Sequence, residues 1–240
     1  MKSSHGIVLH TIRYNDTQFI VNVFTEQAGM VPFLLRSRVR TGGSRQAARW
    51  QPLALVEVAW EPHELHALQR PTEFGLWQPW TSLPFHPHKM AMALCLGEFL
   101  SHALRHEAAN PLLFGYIVQS LQWLDTSETH FANFHVVFLL RLTQFLGFYP
   151  NVECWHPGSF FDMRSATFVD GRPPHPNYIN PEEAALVPKF LRMDMRKMKA
   201  VGLNGAIRTR ALSLITEFYR LHVPEFPDIK SIAVLSEVFG

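Results

Sequence analysis

Val31-Pro32-Phe33-Leu34-Leu35-Arg36-Ser37-Arg38-Val39-Arg40 alternates apolar residues at its odd positions with arginines at the end of its even ones. In an extended strand, side chains at i and i+2 share a face and lie about 7 Å apart. Val31, Phe33, Leu35, Ser37 and Val39 therefore make one inward row, and Arg36, Arg38 and Arg40 project together from the other side. Arg45 and Arg49 extend the series through a loop opened by Thr41-Gly42-Gly43-Ser44, and no acid occurs between Glu26 and Glu57. An ordinary solvated face mixes both signs, so this stretch is a candidate polyanion surface.

Outward from that strand, Ile7–Tyr14, Gln18–Thr25, Pro52–Trp60 and Glu73–Trp77 have the length and β-branched or aromatic content of strands. Asn15-Asp16-Thr17, Glu26-Gln27-Ala28-Gly29 and Glu61-Pro62 separate them as turns. Five short strands at this spacing fit a five-stranded OB-fold barrel, with a small sandwich as the competing arrangement. Tyr14, Phe19, Trp50 and Trp60 are aromatics near the arginines that suit base stacking or the barrel core.

After Pro84 the apolar period becomes 3.6. Met90, Ala93, Leu94, Gly97, Leu100 and Leu104 mark one helical face. Leu113, Tyr116, Ile117, Ser120, Leu121 and Leu124 mark a second, capped by Asn110 with Pro111 in the first turn. Phe131, Phe134, His135, Phe138, Leu139, Leu142, Phe145 and Leu146 mark a third. Residues 148–180 interrupt the rhythm with Pro150, Pro157, Pro173, Pro174 and Pro176, and Ser159–Asp162 with Ala166–Val169 form a small hairpin. Helices follow from Asn180-Pro181, over about Val187–Val201, and from Asn204 to His222, the last burying Ile207, Ala211, Leu214, Ile215 and Phe218. A short amphipathic segment, Ile229–Phe239, comes after Pro224. The expected organisation is α+β with two domains: an OB-fold nucleic-acid-binding domain over 1–80 and an all-α domain over 81–240, irregular at 148–180.

The 47% apolar and 18% charged composition excludes a disordered chain, and no apolar run reaches the length of a membrane span. The N-terminus lacks a signal-peptide pattern, and Cys95 and Cys154 make no disulfide framework, so a cytoplasmic protein without membrane contact is expected. Catalytic signatures are missing. His102 and His106 have an i, i+4 spacing but no glutamate follows His102, and His63-Glu64-Leu65-His66 has the wrong spacing for a zinc protease helix. There is no GxSxG elbow and no phosphate-binding loop, and a hydrolase built on His102 and His106 would be metal-dependent.

A second basic island lies between Leu186 and Leu212, where Lys189, Arg192, Arg196, Lys197, Lys199, Arg208 and Arg210 face only Asp194. Arg192, Arg196 and Lys199 share one face of the expected helix, opposite Leu191, Met195 and Met198. A DNA backbone, an acidic peptide and plain solvent are the three readings of such a face.

Several segments resemble the bacterial recombination-repair mediator family RecO. The first hairpin, Ile7-Val8-Leu9 through Tyr14-Asn15-Asp16 to Val23-Phe24-Thr25-Glu26-Gln27-Ala28-Gly29, is similar to that of the family. Phe33–Arg40 stands where the family has its basic strand, and Gln51-Pro52-Leu53 opens the next. Phe145-Leu146-Gly147-Phe148-Tyr149-Pro150-Asn151 resembles the end of its third long helix, and Leu221–Pro227 with Lys230, Ser231 and Leu235 its closing segment. The resemblance implies a non-enzymatic mediator of the RecF pathway that binds and anneals single- and double-stranded DNA. It implies association with RecR and with the acidic C-terminal tail of single-stranded DNA-binding protein, and indirect action on RecA loading.

DNA contacts are expected at Arg36, Arg38, Arg40, Arg45 and Arg49, with Arg13 if its strand lies beside them. Contacts to DNA or the acidic tail are expected at Arg192, Arg196, Lys197, Lys199, Arg208 and Arg210. Many relatives carry a four-cysteine zinc site where this chain has only Cys154, with His156 and His175 nearby. No cofactor is therefore expected, and packing of Trp155, Phe160, Phe161 and Phe168 is expected in place of zinc. The competing reading is a protein-interaction module whose basic strand docks an acidic partner without touching DNA.

Overall fold

The computed structural model describes residues 1–36, 50–62, 67–193, 198 and 203–239. By internal packing it falls into two compact units, residues 1–126 with 229–238, and residues 127–228 with Phe239.

The first unit begins with β1 (Lys2–Arg13), β2 (Gln18–Thr25), β3 (Gly29–Arg36), β4 (Leu55–Trp60) and β5 (Pro71–Gln78). They form one antiparallel sheet in the order β3-β2-β1-β4-β5. The two outer strands do not remain open edges. Gln69, just before β5, bridges Phe33 of β3: its N–H donates to the Pro32 carbonyl at 2.9 Å and its carbonyl accepts from Leu34 N–H at 2.8 Å. The sheet thereby closes on itself, the arrangement of an OB-fold, and the Pro32 carbonyl and Leu34 N–H on the outer edge of β3 are satisfied.

Strand β3 shows the alternation expected of it. Val31, Phe33 and Leu35 are buried, the residues between them are half-buried, and Arg36 is exposed. The barrel interior gathers Val8, Val21, Val23, Val31, Phe33, Leu35, Val56, Val58 and Trp60, with the Phe33 and Trp60 rings edge-on at 5.4 Å. β1 starts earlier than its apolar pattern suggests, because Ser3, Ser4 and His5 pair with Ala59, Val58 and Glu57 of β4. A ladder recruits polar residues as readily as apolar ones once a partner strand is beside them.

Two helices follow in this unit, α1 (Pro87–Ala103) and α2 (Pro111–Thr126). Asn110 caps α2 as expected, its Oδ1 accepting Leu113 N–H at 3.0 Å. The face expected for α1 needs correction. Ala93, Gly97, Leu100 and Leu104 are buried, but Met90 and Leu94 are 47% and 44% exposed, and Met92, Cys95, Leu96 and Phe99 take their place. α1 is apolar almost all round, so periodicity could not choose the face. The sheet chose it: a Cβ at Gly97 would lie 2.8 Å from Pro52 Cβ and 3.4 Å from the Leu9 carbonyl oxygen, so only glycine permits this approach.

The second unit contains α3 (Phe134–Phe145), the small sheet β6 (Phe160–Asp162), β7 (Thr167–Val169) and β8 (Tyr178–Ile179), then α4 (Pro181–Ala184), α5 (Leu186–Arg192) and α6 (Gly205–His222). The hairpin expected within 159–169 is β6 with β7, and β8 adds on the other side of β6. Phe148 ties α6 to the irregular region, lying edge-on to Phe218 and Tyr219 and flat against His222 at 4.9 Å. Tyr219 is buried, and its hydroxyl donates to the Leu139 carbonyl of α3 at 2.8 Å. The last helix, α7 (Ser231–Phe239), starts on the Glu98 carboxylate of α1, which accepts the Lys230 and Ser231 N–H groups at 3.0 and 2.9 Å.

The helix expected over about Val187–Val201 does not run that far. α5 ends at Arg192, and Met193 is extended, with φ −71° and ψ 132°. The Arg141 guanidinium of α3 donates to the Met193 carbonyl from Nε at 3.0 Å and Nη2 at 2.7 Å, holding the oxygen that a longer helix would have used. Arg196 and Lys199, the residues expected to share a helical face with Arg192, lie outside the described residues.

Candidate nucleic-acid interface

The arginine series begins at one end of the barrel. Gln18 of β2 pairs with Arg36 of β3, and the next pair along is Phe19 with Leu35. The chain returns at Trp50, whose ring packs on Phe19 with centroids 4.7 Å apart. The Thr11 hydroxyl of β1 donates to the Trp50 carbonyl at 2.8 Å. Arg36 and Trp50 are thus fastened to adjacent residues of β2, and the sequence between them contains the other four arginines. Arg38, Arg40, Arg45 and Arg49 lie outside the described residues. Arg36 is exposed and has no ion-pair partner among the described residues.

Arg13 is placed differently from its expectation. It pairs with Phe19, so β2 stands between its strand and β3, and it is not beside Arg36. Its guanidinium bonds Asp16 at 2.7 Å and the Asn15 carbonyl at 3.3 Å within the same turn. This exposed pair costs little to open. Tyr14, beside it, is 62% exposed.

The C-terminal island is also divided. Arg196, Lys197 and Lys199 lie outside the described residues, and Arg192 is exposed at the end of α5. Arg208 is turned to internal use: it donates to the Leu203 carbonyl at 2.5 Å and the Phe239 carbonyl at 3.2 Å, and it lies 5.7 Å over the Phe239 ring. Burial lowers its pKa. Arg210 grips Glu183 of α4 with two parallel bonds, Nε to Oε1 at 2.6 Å and Nη2 to Oε2 at 2.9 Å. Hydrogen bonding to Arg210 lowers the Glu183 pKa, and the same bonds raise that of Arg210.

That ion pair borders a feature the sequence reading did not anticipate, an apolar cavity of about 310 Å³ inside the second unit. Val187 and Phe190 of α5, Ile207, Leu214 and Phe218 of α6, and Phe161 of β6 are among its walls. Ile207 and Leu214 belong to the expected buried face of α6, yet both are only half-buried, because they look into this space. A face wider than its packing partners was the available signal.

In the stretch where the resemblance raised a zinc site, the donors do not converge. Cys154 is exposed, His156 Nε2 lies 2.7 Å from Asp170 Oδ1, and His175 Nε2 lies 3.5 Å from Asp162 Oδ1. The Asp170 contact raises the His156 pKa. Among the described residues no group of three or more His, Cys, Asp or Glu side chains could hold a metal, so these residues do not fit the ion. Phe161 and Phe168 are buried with rings 5.0 Å apart, while Trp155 and Phe160 are half-buried. No helix among the described residues is long and apolar enough to cross a membrane.

Two family models match the chain: Recombination protein O N terminal over residues 1–78 and Recombination protein O C terminal over residues 84–231. Curated relatives match end to end. A DNA repair protein RecO of Bacteroides fragilis is 44% identical over 240 residues, covering 100% of this chain and 99% of the relative. That of Phocaeicola vulgatus is 40% identical with 100% of both covered, and that of Porphyromonas gingivalis 31% identical with 98% of both.

Proposed function

The chain belongs to the RecO family of DNA repair proteins, and on that premise we propose that it is a non-enzymatic, cytoplasmic mediator of recombinational repair in the RecF pathway, associated with the nucleoid. In this reading residues 1–80 bind single- and double-stranded DNA through Arg36, Arg38, Arg40, Arg45 and Arg49. A cationic surface that screens two strands at once lets complementary bases pair, which is annealing without a catalytic group. The protein associates with RecR and helps RecA load onto DNA covered by single-stranded DNA-binding protein.

The observation that supports this most is the pairing of an acid-free, five-arginine run with its two anchors on β2. Gln18 faces Arg36, and Phe19 holds Trp50. Non-specific polyanion binding needs charge density without counter-charge, and the stretch between Glu26 and Glu57 carries five arginines and no acid.

Fluorescence anisotropy of a labelled single-stranded oligonucleotide across a salt series tests the reading. With about five phosphate contacts, log affinity falls with log salt at a slope of roughly −3.5. The Arg36→Ala, Arg38→Ala, Arg40→Ala triple variant is expected to lower affinity and bring the slope to about −1.4. A wild-type slope near zero would refute the arginine surface, and equal competition by an acidic peptide of the same charge would favour the protein-docking reading.

A second observation supports engagement of the acidic tail of single-stranded DNA-binding protein. The cavity of the second unit is apolar within and has Arg210 at its border. We assign the tail to this cavity, an apolar side chain entering it and a carboxylate meeting the guanidinium.

A further inference from the structure

Resting on that assignment of the tail, we propose that Glu183 is a built-in competitor for the cavity: its carboxylate occupies the Arg210 guanidinium that an incoming peptide carboxylate would take. Of the described residues lining the cavity, only Glu183 and Arg210 are charged. They form a bidentate pair at 2.6 and 2.9 Å, with side chains 33% and 52% exposed, whereas Phe161, Ile215 and Phe218 at the wall are almost fully buried. The pair therefore stands at the rim and the apolar walls lie behind it. Its occupant is accordingly a peptide segment with a bulky apolar side chain next to a carboxylate, since Arg210 is the one cation among the described residues of the lining.

One edge of a guanidinium donates to one carboxylate at a time in the parallel two-bond arrangement. Glu183 uses the Nε–Nη2 edge. A ligand carboxylate reaching that edge must displace it, and a half-exposed pair is weak enough to exchange. Glu183 thus sets a threshold: peptides that supply both the apolar anchor and the carboxylate displace it, and purely anionic ones do not.

The test uses the full chain and a fluorescein-labelled pentapeptide of four aspartates ending in phenylalanine with a free carboxylate. Glu183→Gln is expected to tighten binding about two- to fivefold, the size of the exposed pair it removes. Arg210→Met is expected to weaken binding, and Glu183→Gln added to Arg210→Met is expected to change nothing further. If the gain persists in the Arg210→Met background, Glu183 acts only as a distant charge and the competitor role is overturned. The role is equally overturned if the wild type binds and Glu183→Gln binds no better; the docking site itself then stands. If neither the wild type nor Glu183→Gln binds, the assignment of the tail to this cavity is wrong. Should Glu183→Gln fail to fold, Glu183→Asp keeps the charge but withdraws it from the fork, and no tightening in that variant overturns the proposal.

Discussion

The indole of Trp50 rests on the ring of Phe19 with centroids 4.7 Å apart and planes inclined at 43°, and Thr11 of the neighbouring strand holds the Trp50 carbonyl. Three residues on β1, β2 and the returning chain thus fasten the exit of the arginine-bearing segment. Trp50→Ala keeps every arginine and the Thr11 bond to the backbone carbonyl but removes the ring contact with Phe19. DNA affinity is expected to fall about three- to tenfold, the cost of a lost ring contact where the arginine-bearing sequence rejoins the barrel, with the salt slope unchanged. The anisotropy salt series reads both quantities.

Gly29 opens β3 with φ +68°, and a Cβ there would lie 2.3 Å from the Glu107 carbonyl oxygen and 2.7 Å from the Ala108 carbonyl carbon. Both obstacles are backbone, so neither can swing away. Gly29→Ala is expected to cost about 1–3 kcal/mol and to lower the melting temperature by several degrees in a thermal scan.

Asp125 organises the segment between β5 and α1. Its carboxylate accepts Thr81 N–H at 2.9 Å, Thr81 hydroxyl at 2.7 Å, Ser82 N–H at 2.8 Å and Leu83 N–H at 2.6 Å. The Lys89 ammonium donates to the Asp125 backbone carbonyl at 2.9 Å. Burial disfavours the Asp125 charge, but the hydrogen bonds from Thr81, Ser82 and Leu83 together outweigh it and lower the pKa. A lowered folded-state pKa means stability that is present above the unfolded value, near 3.9, and is lost as pH falls from there through the folded value. Asp125→Asn is expected to cost about 1–3 kcal/mol at pH 7 and to flatten the acid limb below pH 4 in urea titrations.

His135 is buried on α3, and burial, with the nearby Arg208 charge, pushes its pKa down to about 3. The folded state then excludes a proton that the unfolded state takes up below about pH 6.5. Stability contributed by the neutral ring is full above that pH and declines toward pH 3, by up to about 1.4 kcal/mol per unit. His135→Leu is expected to remove this one-proton slope between pH 6 and 4. Equilibrium unfolding at several pH values, compared with the wild type, measures it.

Much of this architecture was legible before any coordinates. The alternation of Val31, Phe33 and Leu35 against Arg36 fixes which side of β3 is inside, because a strand has only two faces. Asn110 and Asn204 announce their helices because a short polar side chain is what an open N-terminus needs; Asn204 Oδ1 accepts Ile207 N–H at 2.8 Å. Local chemistry of this kind acts within four residues and is written in order along the chain.

What only the tertiary structure decided involves partners distant in sequence. Arg141 ends α5 by binding Met193 fifty-two positions away, and Gly97 selects the buried face of α1 by meeting Pro52. Arg13 is cut off from β3 by β2, an outcome of strand order rather than of strand content. Arg208 and Arg210 look equivalent in sequence, yet one is spent on the Leu203 and Phe239 carbonyls and the other on Glu183. The sequence by itself determined the strand alternation, the caps and the concentration of arginines, since each depends on neighbours along the chain. Which cations stay free, and that α5, α6 and β6 leave a cavity between them, depended on how separate elements pack, and no local pattern encodes that.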